Sequence, residues 1–143
     1  MANQQDEQIE QAQRELEKVF QSIQNEIPVF LFAQPGINDV YSDAARQGLR
    51  FFRQLTDKIT LKEYNLSHEL SQLWQVHSSP TFVLAPEIYQ INWLGAPLGE
   101  EGRLFLEALL LVGRCESRLT TPSRQLFERL DSHREIMVFV SAS

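Results

Sequence analysis

The stretch Pro80-Thr81-Phe82-Val83-Leu84-Ala85-Pro86-Glu87-Ile88-Tyr89-Gln90-Ile91-Asn92-Trp93-Leu94-Gly95 carries the decisive pattern of this chain. A proline opens an apolar run from Thr81 to Ala85, a short reversal falls around Pro86-Glu87, and Tyr89 to Leu94 alternates apolar with polar. Two strands joined by so few residues can only pair antiparallel. Gly95-Ala96-Pro97-Leu98-Gly99 then breaks the chain before Glu100 and Glu101, acids that suit the positive end of a helix. That helix, Arg103 to about Val112, carries Leu104, Phe105, Leu106, Ala108, Leu109, Leu110 and Leu111, and an apolar surface on nearly every side predicts cover all round.

Upstream of the hairpin, Ile59 to Tyr64 alternates loosely and predicts a strand. Ser67 is the expected cap of a short helix reaching about Val76, with Leu70, Leu73 and Trp74 turned inward, ended by Ser78-Ser79-Pro80. Pro28-Val29-Phe30-Leu31-Phe32-Ala33 is apolar on both alternating sets, as a central strand covered on two faces must be. Between these strands, Asn38 is the expected cap of a helix from Asp39 to Thr56, with Tyr41, Ala45, Leu49, Phe52 and Leu55 as its apolar stripe. A whole helix between two strands makes them parallel, a β-α-β unit. Arg46, Arg50 and Arg53 share another side of that helix, read as a solvated face that can meet an acidic partner. At the N-terminus, Ile9, Ala12, Leu16, Val19, Phe20 and Ile23 form one stripe of a helix from about Gln8 to Gln24, which Pro28 forces to stop by Glu26.

Downstream, Thr121-Pro122 signals another helix start, with Leu126, Phe127 and Leu130 inward, and Ile136-Met137-Val138-Phe139-Val140 reads as one more doubly apolar strand. A central-type strand there resembles the opening of a further β-α-β unit. The order polar turn, helix, apolar strand occurs at Gln11 to Ala33 and again at Thr121 to Val140, which suggests a duplicated architecture.

The 143 residues suffice for one domain with a genuine core, and 43% hydrophobic with 22% charged residues is a globular composition. A formal charge of -6 and a pI near 5.0 argue against nucleic acid as a partner, since phosphate recognition rests on clustered Lys and Arg. No segment is long and apolar enough to predict a membrane span, and Met1 to Glu7 is polar and acidic, unlike a signal peptide, so the cytoplasm is the expected location. One cysteine, Cys115, allows neither an internal disulfide nor a Cys-x-x-Cys motif, and it reads as a structural or incidental thiol at a helix end.

Four segments together resemble a known family: Leu55-Thr56-Asp57-Lys58-Ile59-Thr60-Leu61-Lys62-Glu63, Ser79-Pro80-Thr81-Phe82-Val83-Leu84, Leu94-Gly95-Ala96-Pro97-Leu98-Gly99-Glu100-Glu101, and Ile136 to Val140. They are similar to the tandem thioredoxin-like units at the N-terminus of the alkyl hydroperoxide reductase flavoprotein subunit and to the two-unit protein disulfide oxidoreductases. The Gly-x-Pro-x-Gly turn, Gly95 to Gly99, is the most specific of these features. The resemblance implies an α/β fold, thioredoxin-like, with three α/β/α layers and a mixed sheet. It divides the chain into an N-terminal amphipathic helix (1–26), a cysteine-less thioredoxin-like unit (27–114), and a connecting helix with the first strand of a second unit (115–143). In that family a Cys-x-x-Cys directly follows the second unit's first strand, where this sequence has Ser141-Ala142-Ser143. The expectation is therefore an excised first unit, or a natural protein without its second.

Thioredoxin chemistry needs a low-pKa thiolate at a helix N-terminus and a resolving thiol within a turn. The corresponding corner is Gln34-Pro35-Gly36-Ile37-Asn38-Asp39, which has neither. The resemblance also implies a cis Ser79-Pro80 bond opposite that corner, where such folds hold extended substrates. Gln34, Pro35, Gly36, His77, Ser79 and Pro80 are accordingly the candidate partner groove. His68, His77 and His133 lie at no metal-ligand spacing, there is no phosphate-binding loop or nucleophile elbow, and no metal or cofactor is expected. The expected function is a redox-inert module that scaffolds or docks beside a second unit or another protein, with a homodimer as a further partner reading. The alternatives are a thiol oxidoreductase or redox sensor working through Cys115, and a stand-alone adaptor binding a peptide beside Pro80.

Overall fold

A computed structural model describes residues 2–139, with the side chains from Asp6 onward. The elements are α1 (Ala2–Gln21), β1 (Ile27–Phe32), α2 (Asp39–Leu55), β2 (Ile59–Tyr64), α3 (Glu69–Leu73), β3 (Thr81–Leu84), β4 (Ile91–Leu94), α4 (Glu100–Arg114) and α5 (Thr121–Phe127). The four strands form one sheet in the order β2-β1-β3-β4. β1 runs parallel to β2, Ile27 opposite Ile59, and antiparallel to β3, while β3 and β4 make the expected hairpin with Phe82 opposite Trp93.

Because β1 is apolar at every position, it builds two cores at once. Val29 and Leu31, with Phe82 and Leu84 of β3, pack under Phe20 and Ile23 of α1, Ala45 and Leu49 of α2, and Phe105, Leu109 and Val112 of α4. Phe30 and Phe32, with Val83, face the other way, against Trp74, Val76 and Leu70 on and after α3. The result is the three-layer mixed α/β arrangement expected from the sequence, which is that of the thioredoxin-like folds.

Several local expectations are corrected. α1 begins and ends earlier than its apolar stripe predicts, and its first turns carry Ile9 in solvent. On α2, Ser42 takes the inward position and Tyr41 is exposed, because the helix begins at Asp39 and turns the 42-45-49 row towards the sheet. Leu73 is exposed as α3 ends after one turn, leaving Trp74 and Val76 to fill that core. The hairpin connection is longer than expected: Ala85 accepts from the amides of Ile88 and Tyr89, and β4 starts only at Ile91. α4 is covered on one face alone, with Phe105, Leu109 and Val112 buried and Leu104 exposed.

The largest departure is C-terminal. α5 forms where Thr121-Pro122 signals it, but its cap is Thr120, one residue earlier, and Leu126, Phe127 and Leu130 all point into solvent. Residues 136–139 form no strand, and Phe139 is 88% exposed. A strand exists only where a neighbour accepts and donates its backbone hydrogen bonds, and among the described residues none lies beside this segment. Val140, part of the expected strand, is outside the described residues.

The two sheet edges differ. β2 presents Lys62 and Glu63, and Glu63 is held by Arg46 of α2 through Nε at 3.0 Å and Nη2 at 2.6 Å, while Arg46 Nη1 reaches Asp43 at 2.7 Å. The Glu63 hydrogen bond, ahead of the charge attraction, raises the Arg46 pKa above its ordinary value. So one member of the arginine stripe is spent within the chain. β4 carries no charge at all.

Gly113 fixes how closely α4 approaches the start of β1. A Cβ there would lie 2.6 Å from Cγ2 of Ile23 and 2.9 Å from Cδ1 of Ile27, and Asn25 Nδ2 donates to the Gly113 carbonyl at 3.0 Å. Gly113→Ala is therefore expected to lose about 1–3 kcal/mol of stability by overpacking, read as a lower midpoint in urea unfolding, despite alanine's better helix propensity.

Candidate functional site

The site that the sequence singles out forms where the β1–α2 loop meets the residues before β3. Ala33 leaves β1 by donating to the Tyr64 carbonyl, and the chain turns through Pro35 and Gly36, whose φ of +85° glycine adopts without strain. Pro35 and Gly36 are exposed and Gln34 is half-buried. Across from them Ser79 and Pro80 are buried, joined by a cis peptide bond.

Side chains of the two segments interlock. The Gln34 amide donates to Ser79 Oγ at 2.8 Å, and Ser79 Oγ in turn donates to the Ile37 carbonyl at 3.3 Å. Asn38 Nδ2 donates to the Ser79 carbonyl at 2.8 Å. Asn38 holds the expected N-cap position, its carbonyl accepting the Ser42 amide at 3.0 Å, but it sits in the left-handed region at φ 55° and its side chain makes no capping bond, sending its amide across the groove instead. Asparagine is among the few residues that tolerate that conformation. Asp39 supplies the acid at the helix start, and its two carboxylate oxygens accept the Gly36 amide at 2.9 and 3.1 Å.

Gly36 and Asp39 stand three residues apart, the spacing of a Cys-x-x-Cys pair, at the N-terminus of α2. The amide and the helix dipole that would stabilise a thiolate there are engaged by a carboxylate instead. The corner has no group able to exchange a disulfide. The Pro80 carbonyl is also occupied, by the Gly95 amide at 2.8 Å. Around the loop, Ile37 and Tyr41 are about half exposed and Val40 more so, giving an apolar rim.

Of the sequence-predicted groove residues, the structure brings Gln34 and Ser79 into direct contact and sets Pro35, Gly36 and Pro80 about them. His77 is exposed, two residues before Ser79. Asn38, which bonds across to Ser79, and Asp39, which closes its own loop on Gly36, show in the sequence only as helix-start residues. The pairing of Asn38 with Ser79, across more than forty positions, leaves no local trace in the chain. Among the described residues, no three His, Cys, Asp or Glu side chains come together as a metal site would need.

Cys115 belongs to another place. It ends α4 in the left-handed region, exposed, beside Tyr89, Glu116, Ser117 and Arg124. The hydrogen bond with Cys115, and then burial, push the Tyr89 phenol above its usual pKa.

The sequence matches no family model and no curated protein. Among solved structures, the fold is similar to the alkylhydroperoxide reductase AhpF of Enterococcus faecalis at 22% identity and a TM-score of 0.67, over 79% of this chain and 56% of that one. The NTD_N/C domain of the same reductase gives the same values. A protein disulfide oxidoreductase from Aeropyrum pernix is similar at 22% identity and a TM-score of 0.70, over 85% of this chain and 54% of that one. The chain therefore spans little more than half the length of these structures, and at such identity the likeness is one of fold. That fold is the thioredoxin-like α/β class. Among the described residues no helix is long and apolar enough to cross a membrane.

Asn38→Asp tests the lock across the groove. It keeps a residue that tolerates φ 55° and replaces the donor facing the Ser79 carbonyl by an acceptor, so unfolding in urea should show a loss of about 1–3 kcal/mol.

Proposed function

We propose that this chain is a redox-inert thioredoxin-like module of a cytoplasmic dithiol-disulfide electron-transfer protein, related to peroxide reductases or disulfide oxidoreductases. Its work is scaffolding and docking beside a dithiol-bearing second unit or another protein. The carrying observation is the corner at the start of α2, where Asp39 and the Gly36 amide occupy the positions that a reactive dithiol requires. The names of the similar structures, an alkylhydroperoxide reductase and a disulfide oxidoreductase, support the redox setting.

The reading of the groove as a peptide adaptor is less well supported, because an extended peptide would have to displace Asn38 from the Ser79 carbonyl. The thiol-enzyme reading rests on Cys115 and Tyr89, away from any second thiol. An insulin-disulfide reduction assay separates these readings. The purified chain should show no catalysis above the dithiothreitol background, with Cys115→Ser identical. Turnover that disappears in Cys115→Ser would replace the module by the enzyme.

Docking draws support from the apolar surface left uncovered: Leu126, Phe127, Leu130 and residues 136–139. The chain studied alone is expected to self-associate in concentration-dependent light scattering. A single monomeric species at millimolar concentration would remove the docking role from this surface.

A further inference from the structure

His68 stands at the joint between β2 and α3, half-buried, and the redox reading gives it no task. Its ring lies over Tyr64 with centroids 4.1 Å apart. Its Nδ1 accepts the Leu70 amide at 3.2 Å and caps α3, in place of the expected Ser67. Ser67 instead donates to Asn65 Oδ1 through its amide. An imidazole nitrogen accepts a hydrogen bond only while it is unprotonated, and in the imidazolium both nitrogens are donors. Protonation would therefore set one N–H against another and place a positive charge at the positive end of a helix.

We infer that His68 is a pH-operated latch on the segment that carries Ser79-Pro80. Neutral, it closes α3; protonated, it releases the turn and the chain that follows. α3 has five residues and little cohesion of its own, so its cap matters. The turn is otherwise tied by the His68 amide to the Asn65 carbonyl at 3.0 Å, by the Ser71 amide to the His68 carbonyl at 2.9 Å, by Ser71 Oγ to the carbonyls of Leu66 and His68, and by the Val76 amide to the Ser71 carbonyl at 2.7 Å. All but the first involve Ser71, which sits inside the capped turn. Beyond it the Trp74 carbonyl accepts Asn92 Nδ2 at 2.8 Å, and Trp74 rests on Phe30 at 4.7 Å between centroids. From Trp74 the chain reaches Ser79 in five residues. Loosening α3 therefore loosens one wall of the groove and the cover over Phe30 and Phe32, while the β1 ladders to β2 and β3 and the α1–α2–α4 core keep their own contacts.

The titratable groups about His68 are few. β2 offers the Tyr64 phenol, β1 contributes only Phe30 and Phe32 to the cluster around Tyr64, and Glu69 follows in the chain as the first residue of α3. Histidine is the side chain whose ordinary charge change falls between about pH 5 and 8.

Amide exchange followed by NMR, with rates divided by their intrinsic pH dependence, tests this while the His68 ring is titrated in the same sample. Protection of the Trp74 amide should fall about tenfold with the midpoint of His68, while β1 amides stay protected. In His68→Asn, which keeps a capping acceptor but takes no proton, protection should stay high at both ends of the titration. In His68→Ala it should be low at both ends. Constant Trp74 protection through the His68 titration, or the same fall in His68→Asn, would overturn the latch.

Discussion

Strand β1 is the constraint on which the rest depends. Its backbone is bonded on both sides, parallel to β2 and antiparallel to β3, and its side chains are buried on both faces. Alternation along one strand therefore commits every helix to a layer: Val29 and Leu31 receive α1, α2 and α4, and Phe30 and Phe32 receive the α3 segment. The groove follows from the same strand, because its C-terminal end delivers Gln34 to Ser79, and β3, paired alongside, begins just after Pro80. Fold and site are set by one doubly buried element rather than by separate devices.

How much of this the chain discloses depends on the range of the interaction. Periodicities mark the strands and most helices, since period two and period 3.6 are local properties. The Pro80 to Gly95 hairpin is legible because a short connection permits one pairing only. The misreadings share a cause. Tyr41, Leu73, Leu126, Phe127 and Leu130 are apolar at helical spacing, yet stand in solvent. A stripe says that a face can be buried, while only the tertiary arrangement says whether anything is there to bury it. Ile136 to Phe139 makes the same point for a strand, whose hydrogen bonds must come from a neighbour that sequence cannot name.

The candidate site is legible in position but not in detail. The absence of thiols between Gln34 and Asp39 can be read directly, and so can the proline opposite. The side-chain roles cannot: the Asn38 amide bonds Ser79 rather than capping its own helix, His68 replaces Ser67 as a cap, and Asp39 turns back to Gly36. Each choice depends on a backbone angle or a partner distant in sequence. At this corner the Asp39 carboxylate takes the Gly36 amide, and the side chains left exposed around it are the apolar rim of Ile37, Val40 and Tyr41.

The unequal margins of the sheet carry one more implication. Along β2, Lys62 and the Arg46-bound Glu63 would have to be stripped of water or partner before another strand could lie alongside, a standard natural deterrent to edge pairing. Along Ile91 to Leu94 no such penalty stands. The two flanks of this sheet are thus unequal, one guarded by charge and the other, at β4, carrying none.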